Sequence, residues 1–224
     1  MSMLTNLDLI RRVNLFAKIT PDQAELLANA VVKRRFKRGE LIVEQGRKSN
    51  SLFIILSGRA RVLVTDRKSR EVILANLKPG DYIGEMSLID NEPHSASVEA
   101  EIQTDVFVLG RTEFTRCLEE SPPMAYSVMQ GLVQRLRKAD AKIESLALVG
   151  VYGRVADVLL GRAATDGESE MTIREKISRQ DIAKMVGASR EMVSRVMRDF
   201  EEQGFIETRE GGSIVVKERR AVPR

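Results

Sequence analysis

Short apolar runs recur from about Phe36 to Leu109: ELIVEQG, SLFIILSG, RARVLVTD, EVILANLKPGD, HSASVEAE and TDVFVLG. Glycines at Gly39, Gly46, Gly58, Gly80, Gly84 and Gly110 punctuate them. Runs of about four to eight residues rich in Val, Ile and Leu, bounded by glycine, predict strands. Their even spacing predicts a double-sheet jelly roll or barrel. Two stretches of helical pattern, LTNLDLIRRVNLF and TPDQAELLANAV, precede the strands.

After Ser121-Pro122-Pro123 the period changes. Met129, Leu132, Leu136, Ala139, Ile143, Leu146 and Gly150 alternate spacings of three and four, a heptad seam on one long helix opened by proline. Gln134, Arg135, Arg137, Lys138, Asp140, Lys142 and Glu144 flank it. A helix packed on its own domain would also show one apolar stripe, but the length and regularity favour a parallel homodimer.

From Tyr152 the chain reads as a helix (GRVADVLLGRAA), a polar loop (TDGESE), a pair of helices over 179–200, and two short strands around Glu210-Gly211-Gly212. Helices followed by a hairpin predict a winged helix. In the helix pair, Ser178 is the N-cap of the first helix, whose buried face is Ile182, Ala183 and Val186. Gly187 suits a turn of positive φ. Ser189 caps the second helix, which is expected to bury Met192, Val193, Val196 and Phe200. Arg190, Glu191, Ser194, Arg195 and Arg198 remain on the outer face.

Charge sharpens this segment. The whole chain carries +4, which permits a polyanionic partner without requiring one. From Arg174 to Arg198, however, seven basic residues stand against three acids. Arginines at the start of an exposed second helix can each donate two hydrogen bonds to guanine, and Glu191 can accept from a base amino group. Arg179, Ser178 and Ser189 stand where phosphates would be positioned.

Composition removes other functions. The one cysteine, Cys117, and the one histidine, His94, exclude an intramolecular disulfide, a Cys/His zinc site and a cysteine-ligated iron–sulfur cluster. They leave little for a His-based triad or a cupin-type metal site, and there is no Walker loop or GxGxxG. A lone histidine without CxxCH does not support haem. No catalytic residue is assigned and no metal is expected. No apolar run approaches a membrane span and MSMLTNLDLIRR lacks a signal-peptide core, so the expectation is a cytoplasmic protein with no membrane partner.

SRQDIAKMVGASREMVSRVM strongly resembles the helix-turn-helix of the CRP/FNR family of bacterial regulators, and the resemblance runs through the roll, the long helix and the winged helix. It implies base reading by Arg190, Glu191 and Arg195 and a phosphate contact by Arg179. It further implies double-stranded DNA with two-fold symmetric TGTGA-like half-sites, DNA bending, and recruitment or blocking of RNA polymerase.

GDYIGEMSLIDNEPHSASV resembles the phosphate-binding cassette of cyclic-nucleotide-binding domains, with Gly84, Glu85, Met86, Ser95 and Ala96 at the effector. Glycine lets backbone N–H groups approach a phosphate, and a carboxylate accepts from a ribose hydroxyl. Two positions depart from the family pattern. His94 replaces the phosphate-pairing arginine and has no fork for bidentate pairing. Ala139-Asp140 replaces the Thr-Ser pair that meets adenine in the cAMP-responsive relative. The Asp140 carboxylate could accept from guanine N1–H and N2–H together, and Arg135 or Arg137 could stack on or pair with a second nucleotide. Cyclic di-GMP is therefore favoured over cAMP as effector, although Asp140 also reads as a solvated helix flank.

The chain is thus expected to be α+β: a cyclic-nucleotide-binding roll over 1–120, a dimerisation helix over 121–150 and a winged helix-turn-helix over 151–224. A regulatory module of an enzyme is the competing reading, and the Arg190, Glu191, Arg195 set argues against it. A regulator of the same type that is active without ligand is the other.

Overall fold

The computed structural model describes residues 5–166, 170–209 and 212–217. Glu210 and Gly211 of the expected hairpin, and the residues beyond Lys217, lie outside them. The fold is α+β, as the pattern predicts. Its contacts separate two compact units, with the division between Arg137 and Lys138.

The first unit begins with α1 (Asn6–Ile10) and α2 (Pro21–Ala30). Each is opened by a capping box, from Thr5 with Asp8 and from Thr20 with Gln23. Eight strands follow: β1 (Val32–Phe36), β2 (Leu41–Val43), β3 (Ser51–Ser57), β4 (Ala60–Thr65), β5 (Glu71–Leu77), β6 (Tyr82–Ile83), β7 (Ser97–Ala100) and β8 (Thr104–Gly110). The short α3 (Glu85–Asp90) sits between β6 and β7, and α4 (Arg111–Glu120) follows β8. The strands form two antiparallel sheets, ordered β1-β8-β3-β6 and β2-β7-β4-β5.

Why β3 and β8 read as continuous apolar runs is now evident. Phe53, Ile55 and Val106 face the second sheet, where Ile42, Val43, Leu77, Val98 and Ala100 meet them. Leu52, Ile54, Phe107 and Leu109 face the other way, onto Ile10, Leu27, Phe114 and Met124. Both faces of this sheet are buried, so alternation disappears. Cys117 lies in this second core, where burial pushes its thiol up from its ordinary pKa.

Three features differ from the sequence pattern. Strand β1 carries Lys33, Arg34 and Arg35, all exposed, on the edge of its sheet. Charge there blunts an unpaired edge, and it also hides the strand from an apolar-run search. The segment after Gly84 forms the short helix α3 within a stretch read as strands alone. Thr165, Asp166 and Glu170 of the expected polar loop lie in strands.

The long helix α5 (Pro122–Leu148) is split between the units. Met124 and Val128 are buried in the core of the first. Met129, Leu136, Ile143 and Leu146 of the heptad seam are exposed. The sequence pattern separates the helix from both neighbours, whereas packing assigns each end to the unit it touches.

The second unit contains α6 (Val151–Arg162), β9 (Ala164–Asp166), β10 (Glu170–Ile173), α7 (Arg179–Val186), α8 (Arg190–Glu202), β11 (Ile206–Thr208) and β12 (Ile214–Val216). Its sheet is ordered β11-β12-β10-β9. β11 and β12 pair antiparallel, Ile206 opposite Val216 and Thr208 opposite Ile214. The core joins Val155 and Leu159 of α6 to Ile182, Val193, Met197, Ile206 and Ile214. No helix among the described residues is long and apolar enough to cross a membrane.

Candidate nucleic-acid interface and effector site

The helix-turn-helix is built by local chemistry. Ser178 Oγ accepts from the Asp181 N–H at 3.0 Å and Ser189 Oγ accepts from the Met192 N–H at 3.1 Å. Each cap satisfies one of the N–H groups that a helix start leaves unpaired. Between the helices Gly187 adopts φ 64° and ψ 45°, the left-handed conformation that ends α7 and turns the chain.

The buried stripe of α8 is Val193, Val196, Met197 and Phe200, spaced three, one and three apart. Met197 takes the place in the core expected for Met192, which lies half-buried at the edge of the stripe. The helical phase is otherwise as expected. It leaves Arg190, Glu191, Arg195 and Arg198 exposed on the outer side. Arg179 is half-buried beside Glu201, 3.8 Å away.

Glu191 is held ionised. Its own backbone N–H, then the Ser189 hydroxyl and the Arg190 charge hold its carboxyl below the usual range. An acceptor for a base amino group is therefore in place over the ordinary pH range.

Two cations that the sequence pattern did not single out brace this motif. Arg154 of α6 donates through Nε to the Val186 carbonyl at 2.9 Å and through Nη1 to the Val149 carbonyl at 2.7 Å. Lys142 of α5 donates to the Met185 carbonyl, and burial, then the charge of Arg154, lower its pKa. Both occupy the C-terminus of α7, where backbone carbonyls lack partners and the helix dipole favours positive charge.

The effector segment lies in the first unit. Gly84 adopts φ 99°, and a Cβ there would stand 2.7 Å from the Ser51 carbonyl oxygen, so both conformation and space require glycine. Glu85 opens α3 and is only 1% exposed. Arg135 of α5 meets it: Nη1 donates to Glu85 Oε1 at 2.6 Å, Nη2 donates to the Tyr82 carbonyl, and the guanidinium lies 5.0 Å from the Tyr82 ring centroid. Glu85 Oε2 is buried without a hydrogen-bond partner, and so is the Tyr82 hydroxyl. Burial pushes the Glu85 carboxyl up, and the neighbouring Arg135 only partly offsets this. One buried acceptor thus remains unused beside a half-exposed cation, a pairing suited to a hydroxyl next to an anion.

His94 is elsewhere engaged. Its Nε2 is 2.8 Å from Ser49 Oγ, its backbone N–H donates to the Arg47 carbonyl, and burial lowers its pKa. The neutral imidazole favoured there adds no charge for a phosphate. Ser95 and Met86 are exposed and Ala96 is half-buried. Asp140 is exposed on α5, beyond the residue at which the first unit ends.

The segment is shaped from outside by Arg111, the first residue of α4. Its Nη1 donates to the Leu88 carbonyl at 2.7 Å and its Nη2 to the Ser87 carbonyl at 3.1 Å. Nη2 also reaches Asn91 Oδ1, and Nε reaches Asn50 Oδ1. Ser87 Oγ closes the following loop by donating to the Glu92 carbonyl at 2.6 Å.

Comparison with known proteins places this geometry. Residues 33–121 match the cyclic nucleotide-binding domain and residues 153–222 the Crp-like helix-turn-helix domain. The cAMP-activated global transcriptional regulator Vfr of Pseudomonas aeruginosa is 34% identical over 192 residues, covering 82% of this chain and 88% of that protein. The catabolite activator protein of Thermus thermophilus is 31% identical with a TM-score of 0.54, over 91% of this chain and 93% of that structure. The c-di-GMP-responsive regulator CLP of Xanthomonas campestris superposes with a TM-score of 0.78, over 89% of this chain and all of that structure, at 21% identity, a likeness of fold alone. The chain belongs to the CRP/FNR family of transcription regulators, with a cyclic-nucleotide-binding domain followed by a Crp-like helix-turn-helix.

Proposed function

We propose that the chain acts in the cytoplasm as an effector-responsive homodimer that reads a two-fold symmetric, TGTGA-like DNA site and thereby recruits or blocks RNA polymerase. The observation that carries this reading is the outer face of α8, where Arg190, ionised Glu191 and Arg195 stand exposed on a helix capped by Ser189. Two donors able to make bidentate contacts with guanine and one acceptor for an amino group suit a G·C-containing major groove. The exposed seam of Met129, Leu136, Ile143 and Leu146 supports a dimer, which would present two such helices to half-sites one helical turn apart.

For the effector we favour a guanine-containing cyclic nucleotide, cyclic di-GMP ahead of cAMP. Glu85 and Arg135 supply an acceptor for a ribose hydroxyl and a cation for a phosphate. His94, tied to Ser49, offers no second cation for a cyclic phosphate, and Asp140 offers guanine an acceptor pair that adenine cannot use. The relationship to Vfr favours cAMP instead. The Arg135–Glu85 pair gives this pocket a cation and a carboxylate that satisfy each other, which supports a regulator that needs no ligand as the other reading.

Fluorescence anisotropy with a TGTGA-N6-TCACA duplex, without nucleotide and with cAMP or cyclic di-GMP, tests all three. Tighter DNA binding with cyclic di-GMP alone is the expected result. Tightening by cAMP alone would overturn the guanine preference, and binding unmoved by either would favour the ligand-independent regulator.

A further inference from the structure

We propose that Tyr82 is a positioning residue for the effector response, its hydroxyl seated on Gly131 as the pivot on which the effector segment and helix α5 move together. The inference rests on the effector-responsive reading above.

One stripe of α5 faces the roll: Met124 and Val128 are buried in its core, and Gly131 and Arg135 continue the stripe at spacings of three and four. At Gly131 the helix has no side chain, and the Tyr82 hydroxyl fills that space. A Cβ built at 131 would fall far inside van der Waals contact with the hydroxyl oxygen and 3.2 Å from the ring carbon that bears it. The two residues fit only as a pair.

That hydroxyl is buried with no hydrogen-bond partner, and burial raises its pKa. A phenylalanine would cover the same surface without leaving a polar atom unsatisfied, so stability alone disfavours the oxygen. What the oxygen adds is length: it carries the contact from the ring edge to the helix backbone.

The second link lies about one turn further along α5, where Arg135 holds the Tyr82 carbonyl and Glu85 Oε1. The links differ in kind. The Arg135 link is ionic and shares Glu85 with the ribose hydroxyl of a bound nucleotide, so effector binding alters it. The Tyr82–Gly131 contact is steric and contains no group that the effector would engage. When Glu85 Oε2 accepts from the ribose hydroxyl, the carboxylate reorients and its Oε1 bond to Arg135 loosens; α5 then shifts at Arg135 and is held at Gly131, which converts a local change at Glu85 into a tilt of the helix. Coupling of this kind requires an element with two arrangements that the ligand biases, and a fixed point beside a variable one supplies it.

The test is a double-substitution cycle on the full chain. For wild type, Gly131→Ala, Tyr82→Phe and the double variant, the ratio of DNA affinities with and without nucleotide is measured for cAMP, cGMP and cyclic di-GMP. Gly131→Ala is expected to reduce the wild-type ratio by about tenfold, within the range of allosteric coupling. Adding Tyr82→Phe, which removes the colliding oxygen, is expected to restore most of it. Tyr82→Phe alone should raise the thermal midpoint of the ligand-free protein and lower the ratio. A Gly131→Ala protein with the wild-type ratio, or a loss that Tyr82→Phe does not relieve, would overturn the pivot. Should Gly131→Ala fail to fold, a Tyr82→Phe protein unchanged in both midpoint and ratio overturns it equally. A wild-type ratio of one with every nucleotide removes the effector reading and the pivot together, an outcome distinct from failure of the pivot alone.

Discussion

Arg154 donates to the carbonyl of Val186, the last residue of α7, at 2.9 Å, and to Val149 at 2.7 Å. A single guanidinium thereby ties the first helix of the DNA-reading motif to the turn that joins α5 to α6. Arg154→Ala leaves carbonyls at a helix end without a donor, and the expected loss is about 1–3 kcal/mol of stability. Arg154→Lys, with one compact ammonium for a forked group, should recover part of it. Denaturant unfolding followed by circular dichroism measures both.

The caps can be separated from the reading face. Ser178→Ala and Ser189→Ala each remove an acceptor from a helix start and should cost about 1 kcal/mol. The Ser189 hydroxyl also holds the Glu191 carboxylate, so Ser189→Ala should weaken specific DNA binding more than Ser178→Ala does, beyond the stability effect. Comparing DNA affinities at a temperature where both variants are fully folded checks this.

Arg190→Ala, Glu191→Ala and Arg195→Ala should each cost about 1–3 kcal/mol of binding and relax discrimination at one base pair. Arg179→Ala, at an expected phosphate contact, should weaken binding to every sequence alike and lower the salt slope by about one. Titrations on a duplex panel at several salt concentrations distinguish the two patterns.

Burial raises the folded-state pKa of Glu85, so the folded protein favours the protonated carboxyl more than the unfolded chain does. The sign follows: the ligand-free protein is stabilised by this group at acid pH and loses that contribution as pH rises through the raised value. Glu85→Gln should flatten this part of the stability profile in pH-dependent thermal unfolding. Effector affinity should run the other way, falling on acidification at a pH above the ordinary carboxylate range, because the protonated group loses acceptor capacity and its attraction for Arg135. An effector affinity independent of pH through that range would contradict a ribose contact at Glu85.

The seam on α5 gives a further expectation. Leu136 and Ile143 are 62% and 64% exposed, more than a helix packed only on its own chain would leave apolar. Leu136→Glu or Ile143→Glu should shift the mass measured by sedimentation toward a monomer while each unit stays folded.

Legibility in the sequence followed the range of the interaction. Ser178, Gly187 and Ser189 are identifiable from neighbours alone, because a cap or a left-handed turn depends on residues within one turn. The strands β3 and β8 are likewise marked by composition, since both their faces are buried. Arg154 and Arg111 left no mark, and Lys142 read only as a flank of the seam: each serves a backbone carbonyl distant in sequence, and a carbonyl belongs to every residue type. His94 stands out by rarity, yet its partner Ser49 lies 45 positions away and is equally unmarked. The effector segment accordingly showed its residues but not their partners, and the Arg135–Glu85 pair emerged only from the fold.

Arg111 lies outside the segment 84–96, yet it holds the Ser87 and Leu88 carbonyls and reaches Asn91 and Asn50. The segment is therefore not a portable module. Transplanted into another roll without Arg111 and Asn50, it would carry its glycine and glutamate but not the scaffolding that shapes them. Chimeras meant to exchange effector preference would have to move both stretches together.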